Sequence, residues 1–194
     1  LPRKWAEIET ALARIDDRDG EGKKLEARAK DTRAAYDSAA RALAERRKEA
    51  GSRLDEAVTR ELAPLKLDSA KFHTRFEPLP AESHGPHGTE RIAFEIATNP
   101  GEPFGPIGRI ASGGELSRLM LALRVALTKA AGAPTLVFDE VDAGIGGRVA
   151  GVVGSRLRRL ADNCQVLCIT HLPQIAACAT THFNVAKSVQ SNRT

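Results

Sequence analysis

From Arg3 to Ala63 the chain contains no proline, and charged residues of both signs are spread along the whole stretch. Proline is the residue that most effectively stops a helix, because it lacks an N–H and its ring strikes the preceding turn. A long segment without it, rich in alanine, glutamate, lysine and arginine, is steered to helix by local chemistry. Leu1, Trp5, Ile8, Leu12 and Ile15 step by four, three, four and three residues, the a/d rhythm of a coiled coil. "DDRDGEG", from Asp16 to Gly22, is expected to break this helix, since Gly20 and Gly22 follow a cluster of aspartates. The rhythm resumes weakly through Leu25, Ala29, Tyr36, Leu43, Ala50, Leu54 and Ala57, and Pro64 ends it. Alanines on a seam allow close approach but bury little area, so such a helix needs a partner. Two arrangements supply one: a hairpin folded at the break, or one arm of a coiled coil whose second strand lies outside this chain. Residues 1–63 are therefore read as a helical arm with a break near 16–22, and 64–194 as a separate folded region.

The texture changes at Lys71. "KFHTRFEPL" and "ERIAFEIAT" alternate apolar and polar residues and flank the turn-rich "PAESHGPHGT", which predicts an antiparallel strand pair with a long, mobile loop. His84 and His87 lie in that loop; two histidines without a third ligand read as solvated loop residues rather than a metal site. After "NPGEPFGPIGRI" a helix is expected from about Gly114 to Ala131, apolar over much of its circumference and so buried. "APTLVFDE" reads as a buried strand of parallel type that delivers Asp139 and Glu140 at its C-terminal end. A second helix follows, with Val149, Val152, Val153, Leu157 and Leu160 on its inner face and Arg156, Arg158 and Arg159 at or beyond its rim. Those arginines have two readings, a solvated face or contact with DNA phosphate. "QVLCIT" is a second buried strand ending at Thr170 and His171, Pro173 opens a short helix to Ala179, and "HFNVAK" is expected to be a further strand. Alternation of strand and helix at this spacing makes an α/β region, a sheet with helices packed on it.

Composition narrows the functional classes. The chain has 194 residues and a formal net charge of +4, compatible with nucleic acid as a partner without requiring it. Aromatics make up only 4%, too few for base-stacking platforms. Cys164, Cys168 and Cys178 match neither a disulfide framework nor a zinc spacing, and Cys168 sits within an apolar run as a small hydrophobe. Arg3, Lys4 and Glu7 interrupt any signal peptide, and Arg124 breaks the longest apolar stretch. The expectation is a soluble, intracellular part of something larger.

In such a sheet, ligands sit beyond the carboxyl ends of the strands. Asp139 and Glu140, Asp142 in the next loop, and His171 all fall there. A magnesium ion prefers one or two carboxylates with water and phosphate oxygens. Neighbouring residues of a strand point opposite ways, so Asp139 is assigned to the metal and Glu140 to a water. "ASGGELSRLM" places Ser112, Gly113, Gly114 and Glu115 at a helix start, where unpaired N–H groups suit an anion. Arg118, one turn on, has two readings: reaching the ligand, or pairing with Glu115 on the helix surface.

In this order, "ASGGELSRLMLALRVAL", "TLVFDEVDAGIGG" and "VLCITHLPQIA" resemble the signature motif, the Walker B strand with D-loop, and the histidine switch of ABC-type ATPases. The glutamate ending SGGE, the helical arm and the wording "FDEVDAGIGG…THLPQIA" are most similar to SMC-like proteins of the bacterial RecN DNA repair family. The resemblance is tight from about Gly105 to Lys187 and loose over the arm; Ala111 stands where many ABC proteins carry leucine. It implies the C-terminal lobe of an ABC/SMC-type ATPase head preceded by a coiled coil. It further implies ATP and Mg2+ as ligands, with Asp139 holding magnesium through water, Glu140 polarising the attacking water and His171 sensing the γ-phosphate. Ser112, Gly113, Gly114 and Glu115 would close over nucleotide held by a second head, and Asp142 would lie at the interface between heads. The implied partners are the N-terminal half of the same protein, which carries the P-loop, a second head, and DNA, with no membrane; the implied setting is the cytoplasm, at the nucleoid. Other SMC-like chromosome-maintenance ATPases share these motifs, as do transporter nucleotide-binding subunits, whose short helical insert leaves no place for the arm. A non-catalytic tethering module would leave the carboxylate pair unexplained.

No GxxxxGK[ST] occurs in the chain; "GEGKK" at Gly20 lacks the upstream glycine and the hydroxyl. Nothing here is suited to grip the β- and γ-phosphates. The purified 194-residue chain should therefore show no steady ATP hydrolysis in a phosphate-release assay, and activity should appear when the P-loop half is added.

Overall fold

A computed structural model describes residues 2–110, 112–127 and 134–186. Its first element, α1 (Pro2–Leu62), is one continuous helix, about 90 Å long at 1.5 Å per residue. The expected break at 16–22 does not occur, and with it the hairpin reading falls. Each glycine costs a helix only about 1 kcal/mol relative to alanine. Gly20 and Gly22 have open space around them, and helix-forming neighbours carry the hydrogen-bond ladder through. Trp5, Ile8, Leu12 and Leu25 on the seam are exposed, at 64%, 52%, 54% and 65%. The side chains of Leu1 and Ile15 lie outside the described residues.

The chain divides into two compact units, at boundaries other than Ala63. One comprises the helix as far as Lys48 with Pro78–Glu90. In it the connection between the two expected strands is tied down. Tyr36 Oη donates to Gly85 O at 3.2 Å, Arg47 Nη1 donates to His87 O at 2.8 Å, and Leu79 N donates to Thr89 O at 2.8 Å. A Cβ on Gly88, at φ +91°, would lie 3.3 Å from both Leu43 and Arg47. The loop read as mobile is thus strapped to the helix by its own carbonyls. His84 Nε2 lies 3.1 Å from Leu79 O, and no cluster of three metal-ligating side chains occurs among the described residues.

The second unit comprises Glu49–Glu77 and the chain from Arg91 onward. The last turns of α1 belong here because Val58, Leu62 and, just beyond, Leu65 are fully buried in its core. Strands β1 (Lys71–Pro78) and β2 (Glu90–Ala97) are neighbours in a three-stranded sheet. A short β3 (Gly105–Pro106) pairs antiparallel with β2. Thr74 Oγ1 donates to Asp55 Oδ1 at 2.7 Å and fastens β1 to α1. Helix α2 (Gly113–Ala126) ends earlier than its apolar run suggests, with Leu127 as its cap; 128–131 lie outside the described residues. Strand β4 (Thr135–Phe138), helix α3 (Gly147–Ala161), strand β5 (Gln165–Cys168) and a single helical turn α4 (Pro173–Ala176) follow in the expected order. β4 and β5 pair in parallel, Thr135 opposite Gln165 through Phe138 opposite Cys168. Phe138 is buried among α2 and α3 core residues, whereas Val137, Leu167 and Ile169 remain exposed at 64%, 43% and 61%.

The expected strand "HFNVAK" is absent over 182–186, where Phe183 and Val185 are 84% and 94% exposed; Lys187 lies outside the described residues. A strand exists only where a neighbour answers its N–H and C=O groups, and none of the described strands does so here. No described helix is long and apolar enough to cross a membrane.

Burial separates the roles of apolar residues along α1. Leu62→Ala should destabilise the chain by about 2–5 kcal/mol in urea denaturation, whereas Leu25→Ala should leave the midpoint nearly unchanged. Equal shifts for the two would contradict this division.

Candidate functional site

Because β4 and β5 run parallel and in register, the residues that follow them emerge at the same end of the sheet. Asp139 and Glu140 follow β4, and Ile169, Thr170 and His171 follow β5. The start of α2 closes against the first of these segments. Ser117 Oγ donates to Asp139 O at 2.7 Å, and Arg118 Nη1 donates to Ala143 O at 2.8 Å. Arg118 is thus buried and bound to the turn, neither paired across the helix surface nor presented to solvent. Burial holds its guanidinium pKa below the usual value, with Glu115 opposing that effect.

Glu140 departs from strand geometry. Its φ is +55°, left-handed backbone that costs a non-glycine residue on the order of 1–3 kcal/mol. The alternation argument that aimed Asp139 and Glu140 in opposite directions therefore does not apply. Glu140 N donates to Asp139 Oδ1 at 2.9 Å, and Glu140 O accepts from Ala143 N at 3.0 Å. The left-handed step sends the Glu140 carboxylate back over the start of α2, where a Cβ on Gly113 would collide with Glu140 Oε2. Both carboxylates are exposed. Such a donor set suits a magnesium ion, which takes few protein carboxylates and completes its shell with water and phosphate oxygens.

Ser112 caps α2, its hydroxyl accepting from Glu115 N at 3.4 Å, and both Ser112 and Gly113 are exposed. Gly114 is buried. A Cβ there would lie 2.8 Å from the Ala143 side chain, 3.1 Å from Glu140 O and 3.2 Å from Ala143 O. The glycines were read as making room for an approaching anion; Gly114 is required first by the chain's own turn.

Asp142 is 6% exposed, its carboxylate turned inward rather than presented on the surface. Asp142 Oδ2 accepts from Thr170 Oγ1 at 2.5 Å and from His171 N at 3.2 Å, and lies 3.3 Å from His171 Nδ1. The His171 ring itself is 78% exposed. Cys168, just before, is only partly buried rather than the buried hydrophobe expected; what burial it has, then Asp142 and Asp139, pushes its thiol pKa up to about 11. Arg156 pairs with Glu61 at 2.5 Å, while Arg158 and Arg159 are exposed. The predicted residues Ser112, Gly113, Gly114, Glu115, Asp139, Glu140, Asp142 and His171 all belong to the second unit.

Ser117, Arg118 and Thr170 are the contributors whose roles sequence reasoning did not assign. Ser117 and Arg118 share one helix turn after "SGGE", the only signal available for them. Packing of this kind makes Gly114→Ala costly, by about 1–3 kcal/mol in urea denaturation, whereas Gly108→Ala, with open space around it, should be nearly neutral.

Comparison with known proteins adds the lineage. The family model "RecF/RecN/SMC N terminal domain" matches residues 6–194. The DNA repair protein RecN of Vibrio cholerae is 43% identical over 141 residues, covering 73% of this chain and 25% of that protein. RecN of Halalkalibacterium halodurans is 37% identical over 189 residues, covering 96% of this chain and 33% of that protein. RecN of Xylella fastidiosa reaches 46% over 77% of this chain and 27% of its own length. The chain thus spans about a quarter to a third of these relatives. Among solved structures, an Smc head domain with an extended coiled coil from Pyrococcus furiosus aligns with a TM-score of 0.47 and 22% identity, over 66% of this chain and 30% of that one. Matched by its family over 6–194 and 37–46% identical to these RecN proteins, the chain belongs to the RecF/RecN/SMC family as a RecN-type member.

Proposed function

We propose that this chain is the C-terminal segment of a RecN-type ATPase that hydrolyses ATP between two heads and acts on DNA in double-strand break repair. The observation that carries the reading is the convergence of Asp139, Glu140 and His171 at one end of a parallel strand pair, next to the helix start "SGGE", in a chain without a P-loop. These are the parts that assist phosphoryl transfer by charge and position, without the part that grips the phosphates. Magnesium, when bound, would neutralise phosphate charge. Asp139 would hold it through water, Glu140 would polarise the attacking water, and His171 would meet the γ-phosphate. Ser112 can accept from Glu115 N and still donate its proton to a phosphate oxygen of nucleotide held by a second head. Gly113 and the first N–H groups of α2 supply the positive end of a helix beside it.

The N-terminal half of the same protein, with the P-loop, is the partner that would cover Val137, Leu167 and Ile169. A two-stranded parallel sheet with one apolar face uncovered is otherwise unusual, because parallel sheets are buried on both faces. The exposed seam Trp5, Ile8 and Leu12 supports a coiled coil completed by a second helix of the same protein. Cytoplasmic, nucleoid-associated action follows from DNA as the proposed partner.

In the complete protein, Glu140→Gln should retain ATP binding and lower hydrolysis by about 10²–10⁴-fold, the worth of a general base. Heads of this variant should co-elute as a dimer in ATP during size-exclusion chromatography. Turnover at the unmodified rate would remove Glu140 from this role.

A further inference from the structure

Asp142 is a carboxylate kept almost out of water, and one of its oxygens, Oδ2, meets donors from only one segment among the contacts described: Thr170 and His171. A buried charge is tolerated where hydrogen bonds replace its water. The Thr170 hydroxyl supplies the shortest of these contacts, 2.5 Å. The same oxygen accepts from Leu172 N at 3.1 Å. A hydroxyl has one proton to donate and lone pairs to accept with, so Thr170 Oγ1 joins the turn after β4 to the backbone on the far side of His171 in a single atom. The consequence falls on His171. Its N–H and Nδ1 face Asp142, its following residue is held by Thr170, and its ring is left largely in solvent with Nε2 as the nitrogen not turned to the carboxylate.

We propose that Thr170 is a positioning residue for His171, acting through Asp142, which makes Asp142 an internal brace of its own head rather than a surface contact. The proposal rests on the reading of His171 as the group that meets the γ-phosphate. Valine matches threonine in shape but removes both the donor to Asp142 and the acceptor for Leu172 N; serine keeps both.

The test is steady-state ATP hydrolysis by the complete protein, comparing Thr170→Val, Thr170→Ser, His171→Ala and the double variant T170V/H171A, with thermal melting of each. T170V should lower kcat roughly tenfold to a hundredfold with little change in KM for ATP, as expected for a displaced rather than a missing group. T170S should recover most of that loss, and the double variant should be no slower than H171A alone. If T170V does not fold, Asp142→Asn combined with H171A makes the same cycle at nearly constant volume, with the same non-additive result expected. Losses that multiply in either cycle, or T170V turning over at the unmodified rate, would overturn the positioning role while leaving the sensor reading intact. H171A at the unmodified rate would overturn the sensor reading and this proposal with it. Turnover by E140Q at that rate would instead remove the hydrolytic assignment.

Discussion

The parallel pairing of β4 with β5 is the constraint on which the site depends. Its register, Phe138 opposite Cys168, decides that the carboxylates after one strand and the histidine after the other leave the sheet at the same end. Antiparallel pairing of the same two segments would send them to opposite ends. The helix α3 between them makes the parallel connection possible, since such a crossover needs a dozen or more residues. Its buried face, Ala150, Val153, Leu157 and Leu160, fixes it against the sheet, and Gly154 lets α4 come close enough that a Cβ would lie 3.2 Å from Gln174 O and 3.3 Å from Ile175 Cα.

Around that frame, α2 and the turn 139–143 are assembled as one body. Ser117 and Arg118 hold two carbonyls of the turn, and Gly113 and Gly114 leave room for Glu140 and Ala143. The lid residues proposed to act on a second head are therefore fastened to the carboxylates proposed to act in their own. Left-handed backbone at Glu140 belongs to the same arrangement: strained conformations persist where surrounding contacts over-determine them. The glycines and the strained glutamate are thus two sides of one contact.

Much of this was legible in advance. The two strands declare themselves by short apolar runs, "TLVF" and "VLC", and α3 by its apolar stripe, although the burial expected along both strands is met only at Phe138. The site order, with SGGE, then Asp139 and Glu140, then His171, could likewise be read as written. Less legible were features that depend on a partner. "HFNVAK" alternates like a strand, yet pattern alone cannot supply the neighbour that a strand must bond to. Gly20 and Gly22 look like a break, but their modest cost is outweighed by the helix formers on either side. The loop 79–89 is polar and turn-rich, and nothing local in it announces that Tyr36 and Arg47 will hold its carbonyls.

Local composition by itself determined that the first third is helical, that two short apolar strands flank an amphipathic helix, and that carboxylates and a histidine follow those strands, since all of these depend on backbone propensity and hydrophobic period within a few residues. Only the tertiary structure decided that Asp142 turns inward to Thr170, that Arg118 is buried under the turn, that Arg156 meets Glu61, and that Glu140 folds back over Gly113. Each of these joins residues 20 or more positions apart or requires a backbone angle that residue type disfavours. A side chain's partner across such a separation is set by how the elements pack, and no local periodicity encodes it.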